Sequence, residues 1–358
     1  MNEAPAGDVA QPAHHRPGGG FRNPPGSPRQ TATLGDFVRF LLLDMRRAKL
    51  PPIPTGLVAA AAPDLATLAE NQLAWLGHAC FAFRMAGKLV LTDPYLSRTA
   101  GPFGLGPRRF LDAAVQAEAL PQLDLIAISH NHYDHLDTRA LGAYRFASET
   151  PVICPLGLAS LLKRQGFKEV IELDWWQDWR LEDLAVTCLP AVHFSGRGLG
   201  DRNRTLWASF AFASKFAGPL GRKLWFGGDS APGAVFREIG ARAGPFDLAL
   251  VGIGAYEPRN IMQASHATPE ESIGIAREIG AKAAVGMHWG SIMLTPEDPF
   301  EAPYRFRQAA LEQQFGEDNA WVMQVAKCAG FSRAPKTARP RRAVRPGLTC
   351  PPAHMSHR

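Results

Sequence analysis

From residue 73 onward the chain alternates short apolar runs with Gly, Pro and Asp punctuation, the spacing of many short strands and a few helices. LAWLGHACFAFRMAGKLVLTDPYL (73–96) predicts two strands joined by a turn at Ala86-Gly87. DLIAISH (124–130) is a short apolar run that delivers a polar loop at its end. PVICP, LGLASLLKRQG and EVIEL read strand, helix, strand. VTCLPAVH (186–193), LWASFAFAS, KLWFGGDS and DLALVGIGAY (247–256) are further strands. The sharpest local signal is HATPEESIGIAREIGAKAAVGMHWG (266–290). Thr268 is the expected N-cap, Pro269 sits at the first helical position, Glu271 completes a capping box, and Gly280 ends the helix. AAVGMH is then a strand, and a last helix near Ala302–Phe315 precedes WVMQVA.

Ahead of this body, residues 33–49 (TLGDFVRFLLLDMRRAK) predict a helix stopped by Pro51 and Pro52, with cations at its end. The expected organisation is a disordered segment 1–30, a helical extension and linker 31–72, a folded α/β domain 73–330 and a basic disordered tail 331–358.

One regularity turns this pattern towards chemistry. Strand after apolar strand ends in a His or an Asp: His130, His193, Asp229 and His288. Ligands of one site gather where strand ends converge. The first of these opens SHNHYDHLD (129–137), with His130, His132, Asp134 and His135 inside six residues. Buried His and Asp are costly without partners, and a solvated loop has no use for three imidazoles. A pair of metal ions answers the question of what they are for. Zinc takes imidazole nitrogen and carboxylate oxygen, and a catalytic site keeps one position for water. His130, His132 and His193 are the expected ligands of a first ion; Asp134, His135 and His288 serve a second; Asp229, in GGDS, bridges both. The expected cofactor is two Zn2+.

Composition narrows the setting. The chain has 358 residues, 46% of them hydrophobic, enough for a large core. No run approaches the ~20 apolar residues of a membrane-spanning helix. The opening residues lack the apolar stretch of a secretory signal. Five Cys, widely spaced and without a CxxC pair, argue against a disulfide framework and for a reducing cytoplasm. The net charge of +6 is misleading. Residues 1–30 carry three Arg against Glu3 and Asp8. Residues 331–358 carry six Arg and Lys336 with no acid, so the body 31–330 is net −2. An acidic body argues against nucleic acid as a partner.

SHNHYDHLD matches the HxHxDH motif of the metallo-β-lactamase superfamily, and the later His, Asp and His follow in that superfamily's order. The resemblance implies an αββα four-layer sandwich with the metals at one edge. Asp229 stands where the main antibiotic-degrading group has Cys, and His132 where flavodiiron proteins have Glu, which points to the hydrolytic dinuclear zinc enzymes. WLGHACFAF, LTDPYLSRTAGPFGLGPRRF, DRNRTLWASFAF, GGDS, IGAYEPRNIMQASHATPEES and GMHWG also resemble N-acylphosphatidylethanolamine-hydrolysing phospholipase D and its bacterial relatives, over roughly residues 73–293.

That likeness implies a phosphodiesterase that releases an N-acylethanolamine and phosphatidic acid. It makes Asp134, Asp229 and His266 the expected catalytic residues. His266 is a non-ligand that acts on the substrate; the plainer alternative is a His that only hydrogen-bonds its loop. His78 braces a metal ligand. Tyr256, Glu257, Arg259 and Arg202 are the candidate substrate contacts, since an Arg fork suits phosphate. The alternative function on the same metals is a lactonase or phosphate-ester hydrolase acting on a soluble metabolite. A phospholipid or other phosphodiester substrate implies peripheral contact with the inner face of the membrane. Segment 33–49 and the basic tail are the candidates for that contact, unless the helix packs on the domain and covers the sandwich edge. A homodimer is left open.

Overall fold

The computed structural model describes residues 12–59, 61–215 and 221–331; the basic tail, except Phe331, lies outside them. Fourteen strands form two mixed sheets of seven. The first contains β1 (Gln72–Gly77), β2 (Cys80–Met85), β3 (Lys88–Thr92), β4 (Leu125–Ala127), β5 (Val152–Pro155) and β6 (Val170–Leu173) in spatial sequence. The second runs from β7 (Asp178–Leu181) through β8 (Leu184–Leu189), β9 (Ser209–Ser214), β10 (Lys223–Phe226), β11 (Leu248–Gly252) and β12 (Ala284–Met287) to β13 (Ala320–Trp321). The last strand, β14 (Cys328–Gly330), returns to the outer edge of the first sheet beside β1. Hairpin-linked strands pair antiparallel, whereas β3–β6 and β10–β13 pair in parallel, as helical crossovers require.

Trp75, Phe81, Phe83, Phe210, Phe212 and Leu250 belong to the core between the sheets. A separate apolar cluster covers the outer face of the first sheet, where Ala74, Leu76 and Ile126 meet Leu141 and Leu162. These two leucines come from helices Thr138–Ala143 and Ala159–Lys163. Helices Val235–Arg242, Pro269–Glu278 and Ala302–Glu312 cover the second sheet. The layers are therefore α, β, β and α, as the resemblance implied. The capping box at Thr268 and Glu271, Pro269 at the helix start and a left-handed Gly280 are as read from sequence.

Three expectations need correction. Residues 73–96 hold three strands, because the apolar run turns back at Gly77 and His78, with φ of 103° and 56°. Residues 12–30, expected to be disordered, form a strap docked on the domain. Phe21 is buried, its N–H donates to the Asn203 carbonyl at 2.8 Å, and Asn23 Oδ1 accepts from Trp207 Nε1 and the His193 N–H, both at 3.0 Å. Bonds to the domain, rather than a core of its own, hold this Pro- and Gly-rich segment. Finally, the helical stretch 34–47 does not bury its apolar side. Thr33 and Asp36 cap it reciprocally, but only Phe40 is buried, and Leu34 and Leu41 are 81% and 62% exposed. No helix among the described residues is long and apolar enough to cross a membrane.

Candidate metal centre

The carboxyl ends of β4, β8, β10 and β12 open on one edge of the sandwich, where His130, His193, Asp229 and His288 meet. The structure brings all seven expected ligands together. Gly228 makes the approach of Asp229 feasible: it has φ +55°, and a Cβ there would lie 2.7 Å from the Ser129 Cβ. Only glycine accepts both the conformation and the contact.

The ligand atoms fall into two groups. His130, His132, His193 and Asp229 form one; Asp134, His135 and His288, with His78, form the other. Asp229 Oδ2 lies between them. It is 3.1 Å from His135 Nε2 and 3.2 Å from His288 Nε2, and 3.7 and 3.9 Å from the Nε2 atoms of His193 and His130. Asp134 Oδ2 is 3.5 Å from His135 Nε2 and 3.4 Å from His288 Nε2.

Partners behind the rings select the nitrogen each presents. His193 Nδ1 donates to the Ser265 carbonyl at 2.8 Å, and His135 Nδ1 to Asp93 at 2.6 Å. His130 Nδ1 donates to Ser129 Oγ at 2.9 Å, whose hydroxyl in turn donates to Asp93. Each ring therefore turns Nε2 inward with its lone pair available. His132 presents Nδ1, 2.9 Å from His130 Nε2 and 3.2 Å from His193 Nε2. No single proton can serve three converging nitrogens, but a cation can. His135 Nε2, His288 Nε2 and Asp229 Oδ1 are buried without a hydrogen-bond partner, and a metal would satisfy them. The donor set thus fits two ions.

Electrostatics follow the same division. Burial, then the charges of neighbouring imidazoles, hold His130 well below the ordinary histidine range; burial also lowers His193, and lowers His132 to about 4. Burial opposes the charge on His135 and His288 as well, but the Asp229 and Asp134 carboxylates outweigh it. They hold His135 high and His288 at about 9. Both carboxyls stay well below their usual range despite burial, chiefly because of His135. Cations entering here compete with protons for His135 and His288.

His78 Nε2 donates to Asp134 Oδ2 at 2.9 Å, and the His78 carbonyl accepts the His288 N–H at 3.1 Å. His78 and His288 both have left-handed backbones, φ 56° and 65°, a conformation that costs a non-glycine residue of order 1 kcal/mol or more. His266 sits beside both groups, its ring centroid 5.1 Å from that of His193 and 5.4 Å from that of His288.

Of the expected substrate contacts, Arg202 is the best placed. It stacks on Phe194 at 4.2 Å and lines a cleft with His193, Phe37, Phe40, Ile261 and Met262. Tyr256 is buried in the wall of a second cleft that includes His288. Arg259 is not aimed at the site. Its Nη2 donates to both Glu271 carboxylate oxygens, at 2.9 and 3.1 Å, and its Nη1 donates to the His266 carbonyl at 2.9 Å. Glu257 accepts the Arg259 N–H within their own loop.

Sequence reasoning missed Asp93, which follows β3 and holds His135 and Ser129. Its signal was a buried-strand Asp before Pro94 in LTDPYL. Asp93→Asn is expected to weaken metal affinity about 10- to 100-fold, read by chelator competition. Unchanged affinity would remove Asp93 from the account.

Residues 88–289 match the model of the beta-lactamase superfamily domain. The chain is 38% identical to an uncharacterized protein of Mycobacterium tuberculosis, over 73% of this chain and 70% of that one. It is 36% identical to N-acyl-phosphatidylethanolamine-hydrolyzing phospholipase D 1 of Caenorhabditis elegans, over 61% of this chain and 63% of the worm protein. Among solved structures, isothiocyanate hydrolase from Delia radicum gut bacteria shares the fold, with a TM-score of 0.58 at 18% identity over 72% of this chain and 98% of that one. The chain belongs to the metallo-β-lactamase superfamily, among its metal-dependent hydrolases.

Proposed function

We propose that this protein is a dinuclear zinc phosphodiesterase of the phospholipase D type, cleaving N-acylphosphatidylethanolamine to an N-acylethanolamine and phosphatidic acid. The observation that carries this reading is the cleft beside His193. It joins one cation, Arg202, to an apolar wall of Phe37, Phe40, Phe194, Ile261 and Met262. A phosphodiester with long acyl chains asks for that combination.

Two zinc ions bound by His130, His132, Asp134, His135, His193, Asp229 and His288 would neutralise the phosphate and acidify a water. Around them, the chain's own residues orient the reaction. Asp229 and Asp134 supply the negative charge that retains the cations. Arg202 faces the phosphate from the cleft. His266, lowered to about 4 chiefly by burial, is neutral at pH 7 and suits hydrogen bonding to the leaving ethanolamine oxygen. Water oxygen becomes bonded to phosphorus, the phosphorus–oxygen bond to the ethanolamine breaks, and the alcohol leaves with the proton. Purified protein offered N-acylphosphatidylethanolamine, a soluble phosphodiester and a lactone side by side should prefer the lipid. Preference for either soluble compound overturns the substrate assignment.

The exposed helical stretch would let a cytoplasmic enzyme reach a bilayer from its surface. Leu34, Val38, Leu41, Leu42 and Leu43 are exposed beside Arg39, Arg46, Arg47 and Lys49, while Phe37 and Phe40 of the same stretch line the cleft. Apolar residues beside cations suit an anionic lipid surface. The chain should sediment with anionic vesicles at low salt. Leu41→Glu with Leu42→Glu should weaken partitioning about 100-fold, from roughly 1.5 kcal/mol or more per leucine. Equal solubility of both proteins would exclude this contact.

A further inference from the structure

A second cluster of convergent ligands lies outside this centre. His14 Nε2 is 2.6 Å from Asp174 Oδ1, and His15 Nε2 is 2.7 Å from Asp174 Oδ2. All three ligand atoms lie within 4.8 Å of one another. The side chains are only 11%, 18% and 12% exposed.

Adjacent residues of an extended chain point apart, so two neighbouring rings reach one carboxylate only where the backbone is held in a turn. Here the strap folds on itself. His15 bridges to Phe21, the Arg22 N–H donates to the His14 carbonyl at 2.9 Å, and Gly18, Gly19 and Gly20 all have positive φ. The His14 ring stacks on Trp175 at 4.2 Å, and the His15 ring meets the Phe21 ring edge-on at 5.0 Å. The Trp175 N–H also donates to Asp174 Oδ1 at 2.8 Å, fixing the carboxylate between the two rings.

Two imidazole nitrogens and a carboxylate oxygen are the protein donor set of a three-ligand zinc site. We infer that His14, His15 and Asp174 form a separate divalent-cation site of the zinc class, which staples the N-terminal strap to the end of β6. The strap carries Asn23, whose Oδ1 accepts from the His193 N–H. The cation would thereby anchor a segment that contacts the backbone of a candidate catalytic ligand.

The test counts metal on the full chain without an affinity tag. Wild type, His14→Ala/His15→Ala and Asp174→Asn are stripped with chelator, refilled with zinc, desalted and analysed for zinc per chain. Both variants should hold one equivalent fewer than wild type, a difference that does not depend on the occupancy of the main centre. Where the double variant fails to fold, Asp174→Asn decides, because its amide keeps the volume and one acceptor oxygen while removing the anionic ligand. Equal zinc content in wild type and the folded variants overturns the site and leaves a hydrogen-bonded clasp.

Discussion

Asp229→Asn is expected to lower phosphodiester turnover by about a thousandfold or more and to reduce the metal retained after desalting. The reason is position. Asp229 Oδ2 is the oxygen lying between the two groups of ligands, and its side chain is 3% exposed. An amide of the same shape removes the negative charge that faces His135, His288, His193 and His130. Both ions of the proposed centre would lose a shared ligand, so excess zinc should restore little. Asp93→Asn, one layer behind the ligands, should instead be rescued by zinc. Full activity of Asp229→Asn with two ions retained would contradict the bridging role.

His266→Ala is expected to reduce kcat about 100- to 10,000-fold, the range of a positioned proton-transfer or orienting group, with the metal content unchanged. The backbone that carries the ring is held on both sides. The His266 N–H donates to the Met262 carbonyl at 2.8 Å, and the His266 carbonyl accepts from Arg259, whose fork is held by Glu271. Glu271 is also the closing residue of the helix capping box. The loop is thus built to hold the ring beside His193 and His288 without spending Arg259 on the substrate. Loss of an ion together with activity would make His266 a ligand and overturn its placement.

What could be read from the sequence divides along physical lines. The helix at Thr268 was legible because cap, Pro and terminal Gly are local signals. The convergence of the candidate ligands was legible because dense His and Asp at strand ends have few other uses. The turn at Gly77 and His78 was hidden in an apolar run. Its support comes from far along the chain, where Ser291 Oγ accepts the His78 N–H at 2.9 Å. The strap at 12–30 read as disorder because its order depends on Asn203, Asp174 and Trp207. Arg259 looked like a phosphate ligand because sequence shows an Arg but not the Glu271 already paired with it.

The central claim is that this centre hydrolyses a phospholipid at phosphorus. Product analysis in 18O-labelled water tests it most directly, with N-acylphosphatidylethanolamine in mixed vesicles and zinc-loaded protein. The account predicts N-acylethanolamine and phosphatidic acid in equal amounts, with the label in the phosphatidic acid and none in the amide alcohol. Label in the alcohol, or release of fatty acid in place of these products, would contradict it.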